Sequence, residues 1–183
     1  MSLKATSTAL PEVLVLEPKL FSDDRGHFFE SFNARAFENA TGFGGIFVQD
    51  NHSLSARNVI RGLHYQLGPP QGKLVRVVAG EIFDVAVDLR RQSPRFGQWV
   101  GMTLSPENGR QLWIPPGFAH GFLVLSSVAE VIYKTTEYWS QSHERTIAWD
   151  EPQLGISWPL EGRPIQSEKD RRGAFLADAE VFD

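Results

Sequence analysis

"VRVVAGEIFDVAVDL" occupies Val75–Leu89 and contains two β-rich runs. In the second, Phe83, Val85, Val87 and Leu89 alternate with Ile82, Asp84, Ala86 and Asp88, which is the two-residue period of a strand. Successive strand side chains point to opposite faces, so this pattern predicts one greasy face and one wet or functional face. Similar short runs recur at Trp99–Leu104, Leu112–Pro115, Gly121–Leu125 and Ala129–Thr136, with turn clusters such as "SPENG" (Ser105–Gly109) between them. Closely spaced strands with few helices point to an antiparallel sandwich or barrel.

Helical signals are sparse. Asn33 is placed to cap a short helix over Ala34–Ala40, and His143–Trp149 reads as one or two further turns. The stretch "DEPQLGISWPLEGRPIQSEKD" (Asp150–Asp170) is rich in Pro and Gly and is expected to wrap the sheet as irregular coil. The chain has no internal repeat, low-complexity tract or dividing linker. Its 183 residues therefore read as a single domain, residues 1–183, long enough to bury a core without disulfides or metal.

Composition removes several classes of function. The absence of cysteine excludes thiolate nucleophiles, zinc–thiolate sites and a disulfide framework. The N-terminal apolar run Val13–Leu16 is too short for a signal-peptide core or a membrane span, so the expected location is cytoplasmic, with no membrane partner. A formal net charge of −4 argues against a nucleic-acid-binding surface, which would need a basic stripe. If the ligand is an anion, its positive partners must be gathered locally. "GFGG" (Gly42–Gly45) lacks the spacing of a dinucleotide or phosphate loop, and His143-Glu144 lacks the second histidine of a metalloprotease helix.

Chemistry concentrates around two histidines. "WIPPGFAHGF" (Trp113–Phe122) carries P-x-G-x-x-H as Pro115, Gly117 and His120, and "RGLHYQ" (Arg61–Gln66) places His64 in a strand. The first pattern resembles the second motif of the cupin β-barrels, and "RGLHYQ" falls where their first motif lies. Metal-binding cupins place two first-motif histidines one residue apart, so that both point into one cavity. Here the position two after His64 is Gln66, an uncommon and weak ligand. With only His64 and His120 left as imidazoles of that set, a metal-free barrel is expected. A cavity histidine without a metal is either a satisfied core residue or a general base, a role that suits a pKa near neutrality. Arg61 and Lys73 lie near His64 in sequence, and a core does not collect such charges without partners for them.

Several separated motifs together resemble the dTDP-4-dehydrorhamnose 3,5-epimerase family (dTDP, deoxythymidine diphosphate), a metal-free cupin branch. They are "FSDDRGHFFESF" (Phe21–Phe32), "QDNHS" (Gln49–Ser53), "RGLHYQ", "QGKLVRV" (Gln71–Val77), "PPGFAHGF" (Pro115–Phe122), "YKTTEYWS" (Tyr133–Ser140) and "SEKD" (Ser167–Asp170). The resemblance covers nearly the whole chain. It implies a cupin-like antiparallel β-barrel or jelly roll with a few short helices, and a cofactor-free epimerase acting on a dTDP-4-keto-6-deoxyhexose.

The same resemblance implies roles for single residues. His64 matches the base, Asp170 the carboxylate that orients it, Tyr133 the acid, and Lys73 the cation beside the developing enolate. Arg61 and His120 match oxyanion or phosphate contacts. Arg25, Glu30, Gln49, Asn51, Glu144 and Lys169 match the remaining nucleotide and sugar contacts. In the family the segment bearing Arg25 and Glu30 reaches a second subunit, which implies a homodimer.

One departure concerns the family's second active-site tyrosine, whose position is held here by Trp139, with Tyr138 just before it. On an unbroken strand Tyr133 and Trp139 share a face and Tyr138 points away, so either a bulge returns Tyr138 to the pocket or Trp139 lines it. This leaves open a single-carbon epimerase or ketoisomerase on a related sugar nucleotide. A metal-dependent cupin oxygenase and a non-catalytic sugar-nucleotide binding module are the remaining readings.

Overall fold

The chain is described by a computed structural model covering residues 3–183. In order, its elements are β1 (Leu3–Ser7), β2 (Leu14–Pro18), β3 (Phe21–Asp23), β4 (Gly26–Phe28), α1 (Ala34–Thr41), β5 (Gln49–Ala56), β6 (Ile60–Gln66), β7 (Lys73–Ala79), β8 (Ile82–Asp88), β9 (Trp99–Leu104), β10 (Gln111–Ile114), β11 (Phe118–Val124), β12 (Val128–Thr135), β13 (Glu144–Thr146) and α2 (Glu168–Arg171). One sheet runs β1-β2-β10-β7-β12-β5 and the other β13-β6-β11-β8-β9, with antiparallel neighbours throughout, while β3 and β4 form a separate hairpin. This is the expected mainly-β, cupin-like jelly roll.

The two sheets face each other across a core that contains Val75 and Val77 of β7, Ile82 and Ala86 of β8, Leu112 of β10, Phe122 of β11 and Val131 of β12. The alternation in β8 sorts these residues as read, but both of its faces are buried. Val85, Val87 and Leu89 lie on the outer side, in a second cluster with Leu63, Tyr65 and Ile147, and Trp158, Leu176 and Phe182 of the C-terminal segment pack against it. The face expected to be wet or functional is the barrel interior, where Asp84 is fully buried. The C-terminal coil therefore shields an apolar sheet face from water, the main driving force for its docking.

The segment is fastened by bridges from Ile165 to Val59, Ala174 to Ile147 and Phe182 to Arg90, and it is interrupted by α2. Helix α1 lies where expected. The Asn33 side chain accepts a hydrogen bond from the Ala36 N–H at 3.0 Å, and the helix ends at Gly42 in the left-handed region. Its Phe37 sits edge-on to Trp113 at 5.1 Å.

The expected helix over His143–Trp149 does not form. A turn reaches His143, and Glu144–Thr146 becomes strand β13 against β6. Leu63 and Ile147 exchange backbone hydrogen bonds just beyond it, at 3.1 and 3.0 Å. Without β13, the N–H and C=O groups along that edge of β6 would be unpaired, and satisfying them outweighs a weak local preference for helix.

Candidate active site

The site begins with a misfit in β6. His64 pairs with His120 and Arg61 with Phe122, so three steps along β6 are matched by two along β11. A bulge therefore intervenes, and it reverses the alternation so that Arg61 and His64 both face the barrel interior instead of opposite sides. Gly62 makes this possible. Its φ is +113°, and a Cβ there would lie 2.6 Å from both the Gly121 Cα and the His120 carbonyl oxygen. The glycine of "RGLH" thus turns the arginine before it and the histidine two residues after it into the cavity.

Arg61 and His64 line a cavity of about 390 Å³ between the sheets. Lys73 enters from β7, His120 from β11, Tyr133 from β12, Gln49 and Asn51 from β5, and Glu144 from β13. Trp139 and Lys169 are two further wall residues that the sequence singled out. Asp170 stands behind His64, buried, with its carboxylate Oδ1 accepting from the imidazole Nε2 at 2.5 Å. Helix α2 places it there, with the Ser167 hydroxyl capping the Asp170 N–H at 3.1 Å. The neighbouring Lys169 donates to Glu144 at 2.8 Å.

Burial pushes the His64 pKa down. The hydrogen bond and charge of Asp170 oppose that shift, and the charges of Lys169 and Lys73 reinforce it, leaving a net lowering. The ring is therefore neutral near pH 7. With Nε2–H committed to Asp170, its Nδ1 lone pair is free to take a proton. Burial alone would raise the Asp170 pKa, but the His64 interaction, the Ser167 hydroxyl and Lys169 outweigh it and keep the carboxyl ionised.

Burial also lowers Lys73 to about 8, against the pull of Glu144 and Asp84. Its ammonium donates to the His64 carbonyl oxygen at 3.1 Å. Tyr133 is pushed up by burial, with Glu144 adding to the shift and Arg61 opposing it, so the phenol keeps its proton. Arg61 donates from Nε to the Ser55 hydroxyl at 3.0 Å. An imidazole able to accept a proton thus sits on one sheet and a phenol able to give one on the other.

Two expected contacts do not reach this cavity. Arg25 lies in the turn of the exposed β3–β4 hairpin, paired with Asp23 at 2.6 Å, and Glu30 accepts from the Asn33 amide at 3.1 Å. The choice between Tyr138 and Trp139 falls to Trp139. Strand β12 stops at Thr135, and in the loop that follows Tyr138 is 66% exposed while Trp139 forms part of the cavity wall. Tyr65 is a packing residue, as the opposite strand face requires, with its hydroxyl bonded to the Glu180 carbonyl at 2.5 Å.

Further residues, not singled out from the sequence, line the cavity or stand behind its wall. Asp84 accepts from His120 Nε2 at 2.7 Å, forming a second histidine–aspartate pair. Its position on the polar face of β8 was the available signal. Ser53, Gln71 and Phe122 line the wall as well. Ser53 lies two residues beyond Asn51, and strand alternation puts it on the same face.

Comparison with known proteins agrees with this geometry. The chain is 63% identical over 180 residues to the dTDP-4-dehydrorhamnose 3,5-epimerase of Pseudomonas aeruginosa, covering 98% of this chain and 99% of that one. It is 57% identical over 176 residues to the enzyme of that name from Shigella flexneri, covering 96% and 97%. Among solved structures, the dTDP-6-deoxy-D-glucose-3,5-epimerase of Legionella pneumophila, in complex with dTDP-4-keto-L-rhamnose, superposes with a TM-score of 0.95 at 50% identity over 97% of this chain and 95% of that one. No helix among the described residues is long and apolar enough to cross a membrane. With residues 7–178 also matching the model of that family, the chain belongs to the dTDP-4-dehydrorhamnose 3,5-epimerases.

Proposed function

We propose that the chain epimerises C3 and C5 of dTDP-4-dehydro-6-deoxy-D-glucose to give dTDP-4-dehydro-L-rhamnose. The observation that carries this reading is His64 on one sheet, backed by Asp170 of α2, facing Tyr133 on the other sheet, with Lys73 beside them. Both carbons are adjacent to the C4 ketone, so their protons are weakly acidic. His64 Nδ1 takes the C–H proton, and the electron pair moves onto the carbonyl oxygen as an enolate. The Lys73 ammonium supplies positive charge for that oxygen, in a site where burial strengthens the interaction. Tyr133 then protonates the carbon from the opposite face, and exchange with solvent returns phenol and neutral imidazole. Asp170 holds the His64 tautomer and stabilises the imidazolium formed in between.

Arg61 and His120 serve oxygens of the substrate, while Gln49, Asn51, Glu144 and Lys169 hold its sugar and nucleotide. Arg25 and Glu30 belong to a segment that serves the neighbouring subunit of a cytoplasmic homodimer, which accounts for their distance from the cavity of their own chain. No cofactor takes part in this scheme. Turnover of the 4-keto-6-deoxyglucose nucleotide in heavy water, read carbon by carbon, tests it. Deuterium at both C3 and C5 is expected. Label at one carbon only would convert the assignment to a single-carbon epimerase, the reading that Trp139 in the cavity wall favours.

A further inference from the structure

Gln66 occupies the position where a metal-binding cupin would carry its second histidine, yet it does not line the cavity. It is 2% exposed, and its amide is fully engaged with backbone. Nε2 donates to the Pro69 carbonyl at 2.7 Å and to the Tyr138 carbonyl at 3.2 Å, while Oε1 accepts from the Ser140 N–H at 2.8 Å. These bonds grip the chain on either side of Trp139. Two more glutamines hold the same loop: Gln49 Oε1 accepts from the Trp139 N–H at 3.0 Å, and Gln71 Nε2 donates to the Glu137 carbonyl at 2.9 Å.

The loop after β12 has no sheet partner to hold it, so side chains from elsewhere must satisfy its backbone. Only a primary amide can give two N–H bonds and accept a third at this point. A carboxylate has no donor, and a neutral imidazole has one.

We propose that Gln66 is a positioning residue that holds Trp139 in the cavity wall and thereby sets how the substrate is seated over His64. The idea rests on the epimerase reading for its catalytic consequence, but the placement of Trp139 can be measured without any activity. Trp139 is 52% exposed at the cavity and lies beyond the end of β12; Gln49 holds its own N–H, while Gln66 alone fixes both neighbouring peptide groups, the Tyr138 carbonyl and the Ser140 N–H. Misplacement of a substrate-seating group by about 1 Å lowers rates by up to about 100-fold.

The test has two arms. Protein labelled with 5-fluorotryptophan is examined by fluorine NMR, the Trp139 line being assigned by its loss in Trp139→Phe. Gln66→Met is expected to shift or split that line while leaving those of Trp99, Trp113, Trp149 and Trp158 in place. An unmoved Trp139 line overturns the proposal. If Gln66→Met fails to fold, and every line collapses, Gln66→Asn carries the same comparison with a smaller change. In the second arm, kcat/KM is measured for Gln66→Met, Trp139→Ala and the double variant. Losses of about 10-fold for each single variant, with the double no worse than Trp139→Ala, are expected of residues acting through one another. Multiplying losses would place the effect of Gln66 elsewhere and overturn the proposal. A wild-type protein without epimerase activity would defeat the functional reading and leave the fluorine result standing.

Discussion

The barrel holds two histidine–aspartate pairs of nearly equal geometry, His64–Asp170 at 2.5 Å and His120–Asp84 at 2.7 Å. They differ in setting. The His64 side chain is 24% exposed and that of His120 is 6% exposed. Asp84 comes from strand β8, directly beside β11, whereas Asp170 arrives from a four-residue helix in the C-terminal coil. A ring that must take and release a proton needs access to substrate and solvent. A ring that only presents a fixed hydrogen bond can be sealed. Under the proposed mechanism, the same pair of residue types serves as a proton carrier in one place and as a rigid fixture in the other.

The largest test of this contrast removes the carrier. His64→Ala is expected to lower deuterium exchange into the substrate about 10⁴-fold while dTDP affinity, measured by calorimetry, stays within a factor of a few. Exchange at the wild-type rate would take His64 out of the role of base. A smaller effect separates the two carboxylates. Asp170→Asn should lower kcat by about 10³-fold with KM little changed, because an amide cannot stabilise the imidazolium. Asp84→Asn should cost only about 10-fold, because His120 carries no proton in the cycle. Equal losses in the two variants would erase the distinction between the pairs.

The mildest test is titration. A lowered His64 pKa means that the base is already neutral somewhat below the ordinary histidine value, so kcat/KM rises with pH through a point under about 6.5. Lys73 loses its proton near pH 8 in the free protein, so activity falls there, giving a bell. In Lys73→Arg the alkaline limb should move beyond pH 10, since guanidinium stays charged. A limb left at pH 8 in that variant would assign it to another group.

Much of this was legible in the chain. The β8 alternation, the Asn33 cap and the motif residues identified the jelly roll and most of the cavity wall. The strand β5 was less visible, because "QDNHSLSA" presents polar groups to a cavity and so lacks the apolar run that marks a strand. Strand β13 was hidden for another reason: its conformation is imposed by the open edge of β6 rather than by its own residues. The partner of His120 was overlooked because Asp84 lies 36 positions away, and only strand pairing brings the two together.

By itself, the sequence determined which residue types the site contains and which strand faces most of them occupy, since alternation is a local property of the chain. Tertiary structure decided the rest. The β6 bulge turned Arg61 and His64 to the same side, the C-terminal helix delivered Asp170 to its histidine, and the loop after β12 chose Trp139 over Tyr138 for the wall. Each of these depends on contacts between distant segments, and local pattern carries no information about which distant partner will satisfy a buried polar group.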